Sequence, residues 1–348
     1  MMLEPAVDAL GFALETGALP TLKAPVLFCG ARVLPGLHAT GRDWLCEQHV
    51  KPGADALTRA GFQVGTASAE DRFGAVVILP SRQRDQARAS LARGLSLLAP
   101  AGVLVASVAN NDGARSLEAD LSRLVERPPH TLSKHKARVF WHASNVAEPG
   151  DRAMELRANW QALDDVMPIL ASRYWSRPGL FAWDRIDAGS ALLARHLPVD
   201  LAGRVADLGA GWGYLATEVL ARCPRVRAID LYEADALAIS PARRNLADAG
   251  RADAQVDLIW HDVTTGLPKR YDVIVSNPPF HQGRADEPGL GQAFIQAAAD
   301  ALEPHGALWL VANRHLPYEA TLARRFTHHE TVAAADGYKI IHASGPRA

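Results

Sequence analysis

One stretch restricts the fold more than any other: Arg204-Val205-Ala206-Asp207-Leu208-Gly209-Ala210-Gly211-Trp212-Gly213-Tyr214. A short apolar run ends on an acid, glycines follow at alternate positions, and Leu215 to Arg222 has helical character. Strand, tight turn and helix in that order form one βα unit of a parallel sheet. Glycines in the turn let the backbone approach a ligand where a Cβ would intrude. The spacing is not the G-x-G-x-x-G of dinucleotide sites, and an acid before the turn would repel a pyrophosphate. Asp207 with Gly209, Ala210, Gly211 and Gly213 therefore suits a ligand carrying a cationic amino-acid group, which favours S-adenosylmethionine over NAD.

Further strand ends fall on chemically useful residues. Val226 to Tyr232 reads as the next strand and ends at Glu233, where an acid can accept both ribose hydroxyls. Asp230 competes for that role but sits earlier, inside the strand. A helix through Asn245-Leu246 stops at Gly250, and Gln255 to Trp260 gives a third strand. Asp262, followed by Val263, is placed to accept an adenine amino group, with a turn-capping acid as the alternative. A fourth strand, Arg270 to Val275, leads through Ser276 into Asn277-Pro278-Pro279-Phe280. Paired prolines end the strand and remove two amide donors, which leaves carbonyls and the Asn277 side chain as acceptors. Such a corner suits a substrate that carries an amino group.

At 348 residues the chain has room for two ordinary domains, and 48% hydrophobic residues can fill both cores. A formal net charge of −1 gives no global basic signal, so any nucleic-acid surface must be local. Cys29, Cys46 and Cys223 have neither CxxC nor metal spacing and read as thiols in a reducing compartment. No metal site is expected. Glu4 and Asp8 give no basic-then-apolar signal, and no segment has the apolar length to span a membrane, so a cytoplasmic location is expected.

Residues 1–150 alternate short apolar runs with helical patterns. Ala24 to Gly30, Gly61 to Val64, Phe73 to Leu79 and Gly102 to Ala106 are the strands expected there, with an amphipathic helix from Gln83 to Leu98. Arg123, Arg127, Lys134, His135, Lys136 and Arg138 cluster beside Phe140-Trp141, a mixture suited to RNA phosphates and bases, although a short charge run also serves as a solvated face. Residues 143–180 read as a connection carrying a helix near Asn159 to Leu170, and Gly189 to Leu197 as another helix. The first half also echoes the second. Leu98-Ala99-Pro100-Ala101-Gly102-Val103-Leu104 through Val108-Ala109-Asn110 parallels Leu302-Glu303-Pro304-His305-Gly306-Ala307-Leu308 through Val311-Ala312-Asn313. Ala75 to Pro80 takes the place of Val273 to Pro278. The N-terminal copy has no glycine turn and no Asn before its proline, so it is expected to bind no cofactor.

Asp207-x-Gly-x-Gly-x-Gly together with Asn277-Pro278-Pro279-Phe280 resembles the class I S-adenosylmethionine-dependent methyltransferases of amino nitrogens. More narrowly, Asn277 to Gly283, Pro178-Gly179-Leu180-Phe181, Val311 to Tyr318 and Gly337-Tyr338-Lys339 resemble the RsmC family, bacterial small-subunit ribosomal RNA guanine-N2 methyltransferases. The likeness is strongest from about residue 175 onward. It implies an α/β chain of two tandem Rossmann-like methyltransferase domains with seven-stranded, mostly parallel sheets: residues 1–160 degenerate and RNA-docking, 161–348 catalytic. It implies a monomer acting on 16S rRNA within the 30S subunit, with S-adenosylmethionine as methyl donor. Asn277, Pro278, Pro279 and Phe280 would hold the base, Phe280 by stacking; His281 could relay a proton, though a structural or RNA-contacting role suits it better. Rival readings are large-subunit rRNA guanine, adenine N6, a protein glutamine amide, a small-molecule substrate, and a non-catalytic RNA-binding protein.

Overall fold

The computed structural model describes residues 4–34, 43–144, 150–279, 281–282, 285–286 and 288–347. It divides into two compact units, residues 1–165 and 166–348. The first unit holds β1 (Val26–Cys29), β2 (Trp44–Glu47), β3 (Gln63–Val64), β4 (Phe73–Ile78), β5 (Leu98–Ala109), β6 (His130–Lys134) and β7 (Ala137–Ala143). Their order is β3-β2-β1-β4-β5-β7-β6, with β7 antiparallel to both of its neighbours. The second unit begins with a small hairpin, β8 (Met167–Ile169) and β9 (Tyr174–Ser176). Its main sheet draws on β10 (Ala202–Leu208), β11 (Arg225–Glu233), β12 (Gln255–Trp260) and β13 (Tyr271–Ser276). A two-residue pair follows, β14 (His281–Gln282) and β15 (Ala285–Asp286), and then β16 (Leu302–Asn313), β17 (Phe326–Ala335) and β18 (Tyr338–Pro346). The order β12-β11-β10-β13-β16-β18-β17 repeats that of the first unit.

Central strands read as unbroken apolar runs because helices cover both faces of each sheet. Val26-Leu27-Phe28-Cys29 is buried throughout, as are Val205 to Leu208 and Val273 to Ser276. Two core clusters lie on opposite faces in each unit; in the second, Ala206, Leu208, Ile274 and Leu310 face one way and Val205, Val273, Val275 and Val311 the other. Asp230 is the exception within β11. Its buried carboxylate accepts from Tyr271 Oη at 2.7 Å and Lys269 Nζ at 2.8 Å, so it is committed to the core and not to a ligand.

The strand register establishes the internal duplication. In β1 and β4, Val26 pairs with Ala75 and Cys29 with Ile78; in β10 and β13, Val205 pairs with Val273 and Leu208 with Ser276. This places Phe28 at the position of Asp207, Gly30 at Gly209 and Leu79 at Asn277. Gly30 and Gly209 even share a left-handed backbone, with φ of 66° and 70°. The next strands agree, since Cys29 pairs with Glu47 as Leu208 does with Tyr232, which sets Gln48 opposite Glu233.

Two expectations are corrected. The helix expected near Asn159 to Leu170 lies earlier, at Asp151–Gln161, and the chain turns extended at Asp165. Pro168 cannot donate within a helix and restricts the residue before it, so the β8–β9 hairpin forms there instead. The internal match at the end of β5 also shifts by one: Val103 and Ala307 share a register position, so Ala109, not Asn110, corresponds to Asn313. Asn110 instead corresponds to Arg314, whose amide donates to Gly337 as that of Asn110 does to Lys136.

Gly102 and Gly306 test the equivalence. A Cβ on Gly102 would lie 2.9 Å from Ala99 O and 3.1 Å from Leu98 Cδ2; one on Gly306 would lie 3.0 Å from Glu303 O and 2.9 Å from Leu302 Cδ2. Gly102→Ala and Gly306→Ala should each destabilise their unit by about 1–3 kcal/mol, measurable as matching losses in thermal or urea unfolding.

Candidate active site

β10 and β13 lie side by side where the strand order reverses, the point at which open α/β sheets bind ligands beyond their carboxyl ends. Leaving β10, the chain takes left-handed φ at Gly209 (70°), Gly211 (53°) and Gly213 (87°), values that residues with a Cβ adopt only under strain. Gly209 and Ala210 both donate to Tyr232 O, at 2.8 and 3.2 Å, which ties the turn to the end of β11. Glu233 completes the tie: its Oε2 accepts from Gly211 N at 2.7 Å and its Oε1 from Asp235 N at 2.7 Å. The helix Tyr214–Arg222 then starts directly behind the turn.

An open cleft is lined by Gly209, Ala210, Gly211, Asn277, Asp187 and Ser190, with the aromatic rings of Phe181, Trp212 and Tyr214 in its wall. The structure thus gathers Asn277 and the glycine turn in one place. Asp207 lies beneath that turn, fully buried, with Oδ2 accepting from Ala216 N at 3.2 Å and Oδ1 without a partner among the described residues. Burial pushes its carboxyl up to about 7, with nearby Glu233 adding to the rise. Burial also raises Glu233, against the pull of the Asp235 and Gly211 amides. Two acids held reluctant to ionise thus sit together at one sheet edge.

Asp262, two residues beyond β12, caps the short turn that begins at Val263 and accepts from both Thr264 N (3.0 Å) and Thr264 Oγ1 (2.6 Å). The turn-capping alternative therefore describes its present contacts. Val263 is buried against the β13 face of the core. Pro278 and Pro279 follow Asn277 at the sheet edge, whereas Phe280 lies outside the described residues, and only the backbone of His281 is described.

Several contributors escaped sequence reasoning. Asn277 Nδ2 donates to Asp187 Oδ2 at 2.9 Å and to Ser190 Oγ at 2.8 Å, from the start of the helix Ala188–His196. The signal was present as an Asp-x-x-Ser cap ahead of an apolar helix. Asn245 is buried and bonds both Trp175 and the Trp212 carbonyl, the latter at 2.7 Å, which fixes the glycine turn to the β8–β9 hairpin. No local pattern marks that role.

The basic segment of the first unit is partly spoken for. Arg138 pairs with Glu118 at 2.5 Å and Arg123 with Asp120 at 3.5 Å, while His130 stacks on Trp141. Lys134, His135 and Lys136 stay exposed at the tip of the β6–β7 hairpin, with Lys134 Nζ 5.1 Å from the Phe12 ring centre. All three cysteines are free and buried. Among the described residues no group of His, Cys, Asp or Glu could hold a metal, and no helix is long and apolar enough to cross a membrane.

A glycine turn over a buried acid, a second acid at the next strand end, and Asn-Pro-Pro at the switch point of this sheet define a class I methyltransferase domain. The family model described as "Methyltransferase small domain" matches residues 171–342. Ribosomal RNA small subunit methyltransferase C of Cronobacter sakazakii is 31% identical over 263 residues, which cover 75% of this chain and 73% of the relative. The Pseudomonas aeruginosa protein of that name is 36% identical over 197 residues, 57% of each chain. The chain belongs to the ribosomal RNA small subunit methyltransferase C family. In overall fold it is similar to the T. thermophilus 16S rRNA N2 methyltransferase RsmC, solved with AdoMet and guanosine, at a TM-score of 0.78 and 23% identity over 98% of this chain and 92% of that one.

Asp207 gives the site a pH signature. Its folded-state pKa lies above its unfolded value, so the native protein holds the proton more tightly and stability from this group is lost as pH rises through about 7. The ligand-free wild type should lose on the order of 3 kcal/mol relative to Asp207→Asn between pH 4.5 and 8, read as the difference between their thermal unfolding curves.

Proposed function

We propose that the second unit transfers a methyl group from S-adenosylmethionine to the exocyclic N2 amine of a guanosine in small-subunit ribosomal RNA, and that the first unit contributes to RNA docking. The observation that carries this reading is the Asn277 side chain at the edge of β13, with both hydrogens of its amide already donated inside the protein. Among the described residues nothing bonds its Oδ1, which is the acceptor left for a substrate amine.

The residues fit the methyl donor. Asp207 and Glu233 place carboxyl groups beside a turn whose glycines let a ligand approach the backbone closely, and Gly211 has open space where a Cβ would stand. Glu233 would hold ribose hydroxyls, and Asp262 with Val263 the adenine. When bound, S-adenosylmethionine supplies an electrophilic methyl on a positively charged sulfonium. The turn formed by Gly209, Ala210, Gly211 and Gly213 would hold its amino-acid end, with Asp207 acting from beneath.

The chain's part in the chemistry is positioning. The guanine amine is a poor nucleophile because its lone pair is delocalised into the ring. Asn277 Oδ1 and the Pro278 carbonyl, each accepting one N–H, would turn that lone pair out of the ring plane. Proline at 278 and 279 keeps competing donors away from the amine. Phe280 remains the proposed stacking partner, and Phe181, exposed in the cleft wall, offers another flat apolar surface. The base must be unpaired or flipped to enter. No strong base is required, because the amine becomes acidic as it is methylated.

The first unit carries Phe28, Gln48 and Leu79 where the second has Asp207, Glu233 and Asn277, which supports a copy that takes no cofactor. Its exposed Lys134, His135 and Lys136 support an RNA-facing role. The enzyme would act in the cytoplasm as a monomer, with the 30S subunit as the context of its substrate.

Labelled S-adenosylmethionine offered with 30S subunits, 50S subunits, free rRNA and release factor, followed by nucleoside analysis, tests the assignment. N2-methylguanosine in small-subunit rRNA is expected; label on adenine or protein would overturn it. Asn277→Ala should lower kcat by about 100-fold or more while changing the cofactor dissociation constant by less than about threefold. Lys134→Ala/Lys136→Ala should weaken RNA binding and flatten its salt dependence, leaving cofactor affinity unchanged.

A further inference from the structure

We infer that Asp187 is a positioning residue that fixes which way the Asn277 amide faces. An unrestrained Asn can present either its oxygen or its NH2 to a substrate, and only the oxygen accepts an amine hydrogen. Asp187 Oδ2 lies 2.9 Å from Asn277 Nδ2, and a carboxylate can only accept, so the NH2 is forced to the protein side. Ser190 Oγ takes the second hydrogen at 2.8 Å. With both hydrogens used, the flipped amide would set its oxygen against the carboxylate and leave its NH2 facing the substrate amine. A flip therefore costs contacts on both sides.

The clamp is itself seated. Asp187 Oδ2 also accepts from Ser190 N at 2.8 Å as the cap of the helix Ala188–His196, which fixes the carboxylate relative to that helix. Gly189 allows the helix start to rest on β18: a Cβ there would lie 2.9 Å from Tyr338 Cε1 and 3.0 Å from Asp187 Oδ2. Tyr338 is followed by Lys339, which is buried and donates to Leu316 O at 2.8 Å. The late Gly337-Tyr338-Lys339 segment thus supports the clamp from behind. Asp187 acts through Asn277, and its role in turnover rests on the proposed amine substrate.

A residue swap separates this role from generic helix capping. Asn277→Asp sets two carboxylates against each other, whereas the double variant D187N/N277D restores a donor facing an acceptor with an oxygen still turned to the cleft. In the full-length protein at pH 8 without ligands, N277D should lower the unfolding temperature, and adding D187N should recover most of that loss. D187N alone keeps the helix cap, since Asn caps as well as Asp. It should lower kcat by about tenfold or more while cofactor Kd and RNA KM change by less than about twofold, because its amide no longer dictates that of Asn277. Additive effects of the two substitutions on unfolding temperature would overturn the clamp, as would a D187N enzyme with wild-type kcat. If the swap recovers stability but the wild type methylates no RNA, the clamp stands and the substrate assignment falls.

Discussion

The site depends on one backbone event, the left-handed turn at Gly209, Gly211 and Gly213 directly after β10. A chain leaving a parallel strand must reverse into its helix within a few residues, and doing so in this conformation removes side chains from the sheet edge. The cost is conformational freedom, and the structure recovers it with hydrogen bonds from outside the turn. Tyr232 O holds Gly209 and Ala210, Glu233 holds Gly211, and Asn245 holds the Trp212 carbonyl. Three residues from two neighbouring elements therefore fix a loop that its own sequence would leave loose. The ring of Trp212 is buried with Tyr174, Leu180 and Ala238, which joins the loop to the segment that carries Phe181 into the cleft.

Fixing the loop sets up an electrostatic conflict that is useful. Asp207 stays beneath the turn with one oxygen unpaired, and Glu233 spends both oxygens on backbone amides. A fold selected for stability alone would replace Asp207 by an apolar residue, because an unsatisfied buried carboxylate costs free energy. The first unit contains that replacement, Phe28, fully buried at the same register position. The needs of the sheet therefore do not explain the acid, and a positively charged ligand above the turn, as proposed, would.

Legibility in the sequence followed the range of the forces involved. β10 to β13, their terminal residues and the glycine turn could be read because strand periodicity, proline and glycine act locally. The doubling could be read because Leu98 to Leu104 and Leu302 to Leu308 keep the same glycine for the same close contact. The hydrogen bonds that Asn277 donates to Asp187 and Ser190 span about 90 residues, and those between Asn245 and Trp175 span 70. Such pairs leave no periodic trace. Asp262 was ambiguous for a different reason: a strand-end acid and a turn-capping acid are the same residue in the same place, and only a ligand separates the roles. The helix expected through Leu170 does not form because Pro168 overrides the locally amphipathic pattern.

The two copies separate what the fold requires from what the chemistry requires. Gln48 takes the register position of Glu233 and reproduces its bonding: Gln48 Oε1 accepts from Val50 N at 2.8 Å, as Glu233 Oε1 does from Asp235 N, and Gln48 Nε2 reaches across to Ala31 O at 2.9 Å. A side chain bridging the first and second strand ends is therefore a structural requirement, met by either an amide or a carboxylate. What the first unit drops is the charge at Gln48 and Phe28, and the acceptor at Leu79, whose backbone amide still donates to Cys29 O at 2.9 Å. The retained features are ones that packing or hydrogen bonding enforces, whereas the carboxyl groups of Asp207 and Glu233 and the amide of Asn277 make contacts in the second unit that the first unit's sheet forms without. Under the proposed function the acids at Asp207 and Glu233 and the amide at Asn277 would serve a positively charged donor and an amine acceptor, and the first unit shows that the same sheet order forms without them.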